Sequence, residues 1–225
     1  MARAWPVYLF YRSDGAGSRL RTLPPGYSCE LWRPSPAGAI PAGLPDAERN
    51  RFRLRWLLHH LRIFSNRDYM VFVVRRGDEF AHYSGVTGRY WRFPFLAKND
   101  LQIGDTWTHP DHRGKGLAGF AARSILVAMS RPGRRIWYVV EDINTPSIRT
   151  AEGAGMSLYA RGVWRRPFNL KLLGSYEIRE VVAANVAPGE GRAAAELSQL
   201  NSREAPSAPM VERVSSPASP SIRRA

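Results

Sequence analysis

The chain has 225 residues, 44% of them hydrophobic, and a formal net charge of +14. This length and composition allow one large domain with a hydrophobic core, and the basic excess favours a polyanion, an anionic membrane surface or a phosphorylated ligand as partner. A single cysteine excludes an internal disulfide and a cysteine-rich zinc site, and no apolar run approaches the roughly 18 residues of a membrane span. The N-terminus lacks the features of a signal peptide, so we expect a cytoplasmic protein.

The residue patterns predict a folded domain of helices and strands, followed by a tail. Alternating apolar residues bounded by turn signals predict strands at 7–11, 70–74, 79–87, 101–108, 136–140, 156–164 and 170–178. Apolar residues at helical spacing predict helices at 47–64, 116–129 and 146–153. Residues 185–225 are rich in Pro, Ser, Ala, Gly and Glu and contain no aromatic residue, which predicts a disordered tail after a domain at 1–184.

Apolar residues of the first predicted helix lie on one helical face. They are Leu54, Leu57, Leu58, Leu61 and Phe64, and arginines surround them. This pattern predicts a helix that packs its leucine face against the core. Two other interpretations stay open, namely a helix that lies on a membrane surface and a helix that forms a wall of the acceptor site.

A glycine-rich bend, residues 113–116, joins the strand at 101–108 to the helix at 116–129. A strand, glycines and a helix in this order direct backbone N–H groups at an anion, and glycine has no Cβ to keep a phosphate away. The spacing differs from that of a nucleotide-binding P-loop. Residues 114–119 do match the dinucleotide pattern G-x-G-x-x-G, but a lone match is weak and Glu141 comes late for the acidic partner.

The same bend fits the pattern R-x-x-G-x-A from Arg113 to Ala118. In this it resembles the pyrophosphate loop, [Q/R]-x-x-G-x-[G/A], of the GNAT superfamily of acyl-CoA-dependent N-acetyltransferases. A second similarity follows about 30 residues later, where Asn144 opens a helix, Ser147 stands three residues on, and a closing glycine precedes Met156. The resemblance covers roughly residues 69–164.

The resemblance implies a mixed α/β (α+β) fold with a central, mostly antiparallel sheet of six to seven strands flanked by helices. The fourth and fifth predicted strands, 101–108 and 136–140, would splay apart and receive the pantetheine arm of acetyl-CoA. The resemblance assigns these residues to acetyl-CoA binding: Trp107, Thr108, Arg113, Gly114, Lys115, Gly116, Leu117, Ala118, Asn144 and Ser147. Taken alone, Asn144 and Ser147 fit a plain helix N-cap equally well.

An amine acceptor must lose a proton when it attacks a thioester, and a nearby carboxylate or histidine can take it. Asp105 and Glu141 are the candidate bases, because each lies at one of the two splayed strands; each also fits a solvated or ion-paired residue. His82 and His109 are lesser candidates. Many GNAT enzymes carry a tyrosine seven residues after the helix-opening Asn to protonate the leaving thiolate, and here that position is Ala151.

The predicted function is therefore transfer of an acetyl group from acetyl-CoA to a primary amine by direct attack in a ternary complex, without a metal. The acceptor would be a small molecule or a peptide, and the basic surface favours an anionic one such as an amino sugar derivative. A non-catalytic CoA-binding regulatory protein is the alternative that Ala151 leaves open. The sequence contains no motif for specific nucleic-acid recognition, and the protein would be a monomer or homodimer.

Overall fold

The computed structural model describes most of the chain up to residue 182. The described residues are 6–13, 22–36, 38, 40, 41, 43, 44, 46–167, 170 and 173–182. The predicted tail, 185–225, lies outside this range, so the domain boundary stays a prediction. Within the described part, no helix combines the length and the apolar character that crossing a membrane requires.

The described part of the chain forms eight strands and three α-helices. The strands are β1 (Val7–Ser13), β2 (Ser28–Trp32), β3 (Met70–Arg76), β4 (Glu79–Gly88), β5 (Leu101–Thr108), β6 (Ile136–Glu141), β7 (Ser157–Arg165) and β8 (Ser175–Val181). The helices are α1 (Asp46–His60), α2 (Leu117–Met129) and α3 (Thr145–Gly153), and a short 3-10 turn (Pro110–His112) precedes α2. The strand that sequence reasoning missed is β2, a mostly exposed edge strand without a buried alternation to reveal it.

The strands form one sheet in the order β2-β3-β4-β5-β6-β1-β7-β8. Every neighbouring pair is antiparallel except β5 and β6, which run parallel. The mixed α/β fold with a mostly antiparallel sheet is thus confirmed, with eight strands rather than six or seven. The first strand of the chain, β1, lies in the interior of the sheet between β6 and β7.

The parallel strands β5 and β6 separate along their length. They pair at only three positions, the last of which joins Ile103 to Tyr138. Beyond this vertex β5 continues to pair with β4 as far as Thr108, and β6 continues to pair with β1 as far as Glu141. The predicted splay is present, and it lies between the fifth and sixth strands because β2 adds one to the count. We call the space between the two strands the β5–β6 gap.

Each face of the sheet packs against different helices. Residues of α2 and α3, including Ile125 and Ala151, are buried with Ile103 and Tyr138 on one face. Residues of α1 and of the segment 89–100 are buried with Tyr83 and other aromatics on the opposite face. We call these the α2 face and the α1 face, and side chains along each strand alternate between them.

The leucine face predicted for α1 packs against the core only in part. Leu58 and Phe64 are buried, at 8% and 5% exposed, whereas Leu54, Leu57 and Leu61 are 44%, 45% and 60% exposed. The inner side of α1 also carries two charged residues that bond to the sheet. Glu48 accepts a hydrogen bond from the Tyr83 hydroxyl at 2.5 Å, and Arg55 forms an ion pair with Asp105 on β5. The inner side of the helix is therefore mixed, with Phe52 and Leu58 in the core and Glu48 and Arg55 bonded to the sheet.

Candidate active site

The glycine-rich bend is exposed and has space above it. Gly114 and Gly116 adopt left-handed backbone conformations, with φ values of 75° and 74°, and nothing lies within 4 Å of a Cβ placed on either. Helix α2 starts directly after Gly116 without a side-chain cap and without an acidic residue in its first turn. The first N–H groups of α2 therefore face solvent in the arrangement that suits an anion.

A buried histidine braces the start of the bend. His112 is 2% exposed, and its two ring nitrogens lie 2.8 Å from the Tyr27 hydroxyl and 3.0 Å from a Glu79 carboxylate oxygen. The hydrogen bond from His112 holds the pKa of Glu79 below its usual value. His109, a lesser candidate base, caps the 3-10 turn by accepting a hydrogen bond from the Asp111 amide at 3.3 Å. Glu79, His109 and His112 lie close together. Because both ring nitrogens of His112 have hydrogen-bond partners, we interpret this group as a structural support of the bend.

The bend lies at the open end of the β5–β6 gap because it follows β5 directly. The His109 amide donates to the Ala81 carbonyl of β4 at 2.9 Å. Successive amides of a strand point to opposite sides, so the Thr108 amide is directed away from β4 and towards the gap. The Trp107 backbone pairs with Tyr83 on β4 instead, and its indole stacks on the Tyr83 ring with centroids 5.8 Å apart.

The residues predicted on the other side of the gap open helix α3. The Asn144 side-chain oxygen accepts a hydrogen bond from the Ser147 amide at 3.2 Å, which is an N-cap. The interpretation of Asn144 and Ser147 as a helix N-cap is therefore correct. Asn144 is exposed and Ser147 is half-buried, so both remain accessible from the gap side of α3.

Strand β5 bulges just beyond the vertex. Gly85 pairs with Gly104 and Tyr83 pairs with Trp107, so β5 has one more residue than β4 in this interval. Asp105 lies in the bulge with a φ of 47°, a left-handed conformation that is uncommon for a residue with a side chain. The bulge directs Gly104 and Asp105 in succession to the α1 face.

The Asp105 carboxylate is held by Arg55 of α1. One of its oxygens, Oδ2, accepts from the Arg55 Nε at 2.8 Å and lies 2.7 Å from Nη2. Arg55 also donates to the Tyr90 hydroxyl. No hydrogen bond to Oδ1 is formed by the described residues, and the Asp105 side chain is 35% exposed. The ion-paired interpretation of Asp105 is correct, and one carboxylate oxygen is left available.

The second candidate base, Glu141, is the last residue of β6. It shares the α1 face with Trp137 and Val139 because side chains alternate along the strand. It is half-buried and pairs with Tyr8 of β1, whose pKa is raised by burial and further by the Glu141 charge. The two predicted bases thus lie on opposite arms of the β5–β6 gap and on the same face of the sheet.

A pocket opens on the α1 face beside Asp105. Gly85 and Gly104 stand opposite each other on β4 and β5 and line the space beneath α1, and the Gln102 side chain lies over Gly104. Thr87 also lines the pocket; it is 4% exposed, and its hydroxyl has no hydrogen-bond partner among the described residues. Buried hydroxyls normally have a partner, so this one indicates a place for a polar ligand atom. Sequence reasoning missed the pocket because its residues come from α1 and three separate strands.

Comparison with known proteins was made against family models, curated proteins and solved structures. The family model described as an acetyltransferase (GNAT) domain matches residues 30–157, more than half of the chain. The chain belongs to the GNAT acetyltransferase family. The search of curated proteins gave no match.

Three similar solved structures have GNAT descriptions. A GCN5-related N-acetyltransferase from Sphaerobacter thermophilus is 15% identical, with a TM-score of 0.49 over 71% of this chain and 50% of that one. A tandem GNAT protein from the clavulanic acid biosynthesis pathway is 16% identical, with a TM-score of 0.48 over 71% and 52%. A GNAT-family protein from Novosphingobium aromaticivorans is 18% identical, with a TM-score of 0.44 over 70% and 62%. This chain spans half to three fifths of the length of these proteins.

Where many GNAT enzymes carry a tyrosine, this protein has Ala151. The residue is fully buried on the α2 face, where it helps to pack α3 against α2 and the sheet. Tyr159 does not replace the missing phenol, since its ring packs edge-on against Trp137 on the α1 face and lies under Arg12. No phenol therefore reaches the gap from position 151 or position 159.

His82, the other lesser candidate base, lies on the α2 face, opposite the pocket. It is fully buried, with Nδ1 2.8 Å from the Thr108 hydroxyl and Nε2 3.0 Å from the Ser84 hydroxyl. Burial lowers the pKa of His82 to about 3. The imidazole is therefore neutral at physiological pH, and it is held by two hydroxyls away from the acceptor pocket.

We expect the free energy of unfolding to decrease as the pH falls below about 6.5, the ordinary pKa of histidine. In the unfolded chain His82 takes up a proton near that pH, whereas in the folded protein it does not until about pH 3. The unfolded state therefore binds one more proton in this window, which costs about 2 kcal/mol of stability near pH 5. Urea titrations near pH 7.5 and near pH 5 measure this difference.

Two histidine variants identify the group responsible for that pH dependence. His82→Gln should lose the component, while His60→Gln, which changes an exposed histidine of α1, should retain it. A decrease of the same size in the wild type and in His82→Gln would show that another group causes it.

Proposed function

We propose that this protein is an N-acetyltransferase that transfers the acetyl group of acetyl-CoA to a primary amine by direct attack in a ternary complex. The observation that carries the proposal is the β5–β6 gap with an exposed glycine bend at its mouth. Backbone that lacks a strand partner can pair with an extended carrier arm, and the bend can hold the carrier's diphosphate. The proposed enzyme is cytoplasmic and acts as a monomer or homodimer.

The residues fit a CoA carrier at three places. The N–H groups between Arg113 and Ala118 would bind the diphosphate, and the Arg113 and Lys115 side chains add positive charge beside them. The Thr108 amide would bond the pantetheine arm from the β5 side. Asn144 and Ser147 would contact the arm from the α3 side.

The α1 face supplies the acceptor site in this proposal. The amine would enter the pocket beneath α1, where the Thr87 hydroxyl has no partner, and the Asp105 carboxylate has one available oxygen, among the residues that the structure describes. Asp105 or Glu141 would take the proton that the amine loses, directly or through water. Arg55 and Arg51 at the pocket are paired with Asp105 and Glu48, so the preference for an acceptor that carries negative charge rests on the net charge of +14 of the whole chain.

Release of free thiol from acetyl-CoA with a broad panel of amines tests the proposal. The panel contains amino sugars, sugar phosphates with an amino group, polyamines, amino acids and peptides with free N-termini. We expect a rate above the hydrolysis background with at least one class, and an acetylated product by mass spectrometry. A negative result across the panel, with CoA binding intact by calorimetry, would support the non-catalytic CoA-binding alternative that the buried Ala151 motivates.

Filling the pocket should weaken acceptor binding and leave carrier binding unchanged. A Cβ on Gly85 lies 3.2 Å from the Gly104 carbonyl oxygen and 3.7 Å from the Asp105 Cβ, so the Val side chain of Gly85→Val occupies the space beneath α1. We expect the KM for the acceptor to rise by about tenfold or more, with a smaller rise for Gly85→Ala. Steady-state kinetics and calorimetry with CoA measure the two effects, and an unchanged KM in Gly85→Val would place the acceptor elsewhere.

A further inference from the structure

A chain of hydroxyl and imidazole groups lines the α2 face of the β5–β6 gap. The Thr108 hydroxyl bonds to His82 at 2.8 Å, and His82 bonds to the Ser84 hydroxyl at 3.0 Å. Ser84 and Thr106 follow, with their hydroxyl oxygens 3.3 Å apart. The chain continues to the phenol of Tyr138, which interacts with the hydroxyls of Thr106 and Ser147. These groups belong to β4, β5, β6 and α3, so the chain crosses the gap.

Within this series of hydrogen-bonding groups, Tyr138 lies at the vertex of the gap. Its backbone pairs with Ile103 at the last position where β5 and β6 are joined. Its side chain is 5% exposed, and its hydroxyl reaches Thr106 on the opposite strand, three residues beyond the vertex. The phenol therefore lies across the closed end of the gap on its α2 face.

The closed end of the gap is where the reacting sulfur of a CoA carrier would lie. The diphosphate site is at the open end, at the bend after Thr108, and the arm must run from there towards Ile103. The acceptor pocket adjoins the same end through Gly104 and Asp105, on the α1 face. The thioester would thus be located between the acceptor on one face and the Tyr138 phenol on the other.

We infer that Tyr138 is the general acid that protonates the leaving thiolate, in place of the helix tyrosine that Ala151 replaces. This inference rests on the proposed function. Thr106 and Ser147 act as positioning residues, because their hydroxyls hold the phenol across the gap. The hydroxyl chain through Ser84 and His82 to Thr108 joins the buried phenol to the half-buried mouth of the gap.

The step balances in atoms and charge. The amine nitrogen bonds to the thioester carbon, the carbon–sulfur bond breaks, and its electron pair goes to sulfur. The Tyr138 hydroxyl proton passes to that sulfur and gives the free thiol. The neutral amine loses one proton to the carboxylate base, which then releases it to solvent, and the phenolate regains one proton from solvent through the hydroxyl chain, so the reaction of a neutral amine neither consumes nor releases a net proton.

The environment of Tyr138 keeps the phenol protonated before the step. Burial raises the pKa of Tyr138, and the Ser147 and Thr106 hydroxyls act in the opposite direction by hydrogen bonding to the phenolate. The phenol is therefore neutral at physiological pH and can donate. The same two hydroxyls stabilise the phenolate that forms when the proton is transferred.

The Tyr138→Phe variant tests the assignment with acetyl-CoA and the amine that gives the highest rate in the panel. We expect kcat to fall by about 10- to 100-fold while the dissociation constant for CoA stays the same. With the S-acetyl ester of 4-nitrothiophenol as donor, the variant and the wild type should react at similar rates, because that thiolate leaves without a proton. A loss of the same size with both donors would assign Tyr138 a structural role and overturn the inference.

Tyr11→Phe is the matched control. Tyr11 is a buried phenol on the α2 face that donates to a Glu152 carboxylate oxygen at 2.9 Å, and its strand, β1, does not border β5. This variant should retain kcat with acetyl-CoA. An unchanged kcat in Tyr138→Phe would overturn only the inference about Tyr138 and leave the proposed function intact. Absence of transfer and of CoA binding in the wild type would overturn the proposed function.

If Tyr138→Phe does not fold, 3,5-difluorotyrosine at position 138 keeps the hydroxyl and makes it more acidic. The basic limb of the kcat profile should then move to lower pH, because the acid loses its proton earlier. An unmoved basic limb would contradict the role of Tyr138 as the acid.

Discussion

Gly116→Val should weaken acetyl-CoA binding by about 100-fold or more. Gly116 has a φ of 74°, which valine cannot adopt without strain, and it is the residue directly before α2. Relief of this strain turns the amides of the bend away from the ligand. The loss of two hydrogen bonds to a charged diphosphate, at about 1.5 kcal/mol each, corresponds to roughly 100-fold in affinity. Isothermal titration calorimetry with acetyl-CoA measures the change.

The chain offers a closely matched control at the other end of α2. Gly133 has a φ of 71° and, like Gly116, nothing within 4 Å of an added Cβ. Gly133→Val therefore introduces the same backbone strain in the turn that leads into β6, remote from the bend. It should lower the thermal stability by a similar amount and leave the affinity unchanged. Equal affinities for acetyl-CoA in Gly116→Val and Gly133→Val would remove the diphosphate site from the bend.

Asp105→Asn should lower kcat by about 100-fold near neutral pH, with the loss reduced at high pH. Asparagine also tolerates the left-handed conformation at this bulge, so the backbone of β5 is retained while the carboxylate is removed. At high pH hydroxide in solvent can take the proton that the attacking amine loses, so the reaction depends less on the carboxylate. The pH dependence of kcat, with acetyl-CoA affinity as a check on the site, measures the effect.

Two further variants make the Asp105 result specific. Glu30 on the edge strand β2 forms an ion pair with Arg75 on β3. Glu30→Gln removes this carboxylate far from the gap, so the variant should retain kcat. Glu141→Gln tests the second candidate base. If Glu141→Gln shows the pH-dependent loss and Asp105→Asn does not, the proton acceptor is on β6.

The strand–bend–helix unit from Leu101 to Met129 was predictable because its signals are local. Glycines at positions that need a left-handed backbone, a preceding proline turn and apolar residues at helical spacing all act within about 30 residues. The resemblance to GNAT acetyltransferases rested on the bend in this segment and on the helix that Asn144 opens, and the family match confirms it. The parting of β5 and β6 followed from that resemblance, since no residue pattern marks where a pair of strands ends.

The features that could not be predicted depend on contacts between distant parts of the chain. Hydrophobic spacing identified Leu58 and Phe64 as core residues but also selected Leu54, Leu57 and Leu61, which are exposed. It could not show that Glu48 and Arg55 face the sheet, because their partners Tyr83 and Asp105 come from two other strands. The interior position of β1 depends on pairing with β6 and β7, more than 120 residues later in the chain. The Asp105 bulge has no local signal, because aspartate seldom adopts that conformation within a strand.

The central claim is that unprotected amides of residues 113–118 bind the diphosphate of acetyl-CoA and that the β5–β6 gap receives its arm. A crystal structure of the protein with acetyl-CoA tests this most directly. We predict diphosphate oxygens within hydrogen-bonding distance, roughly 3 Å, of the backbone nitrogens of the bend, and the arm paired with Thr108. A carrier bound at another surface, with β5 and β6 joined beyond Ile103, would contradict the account.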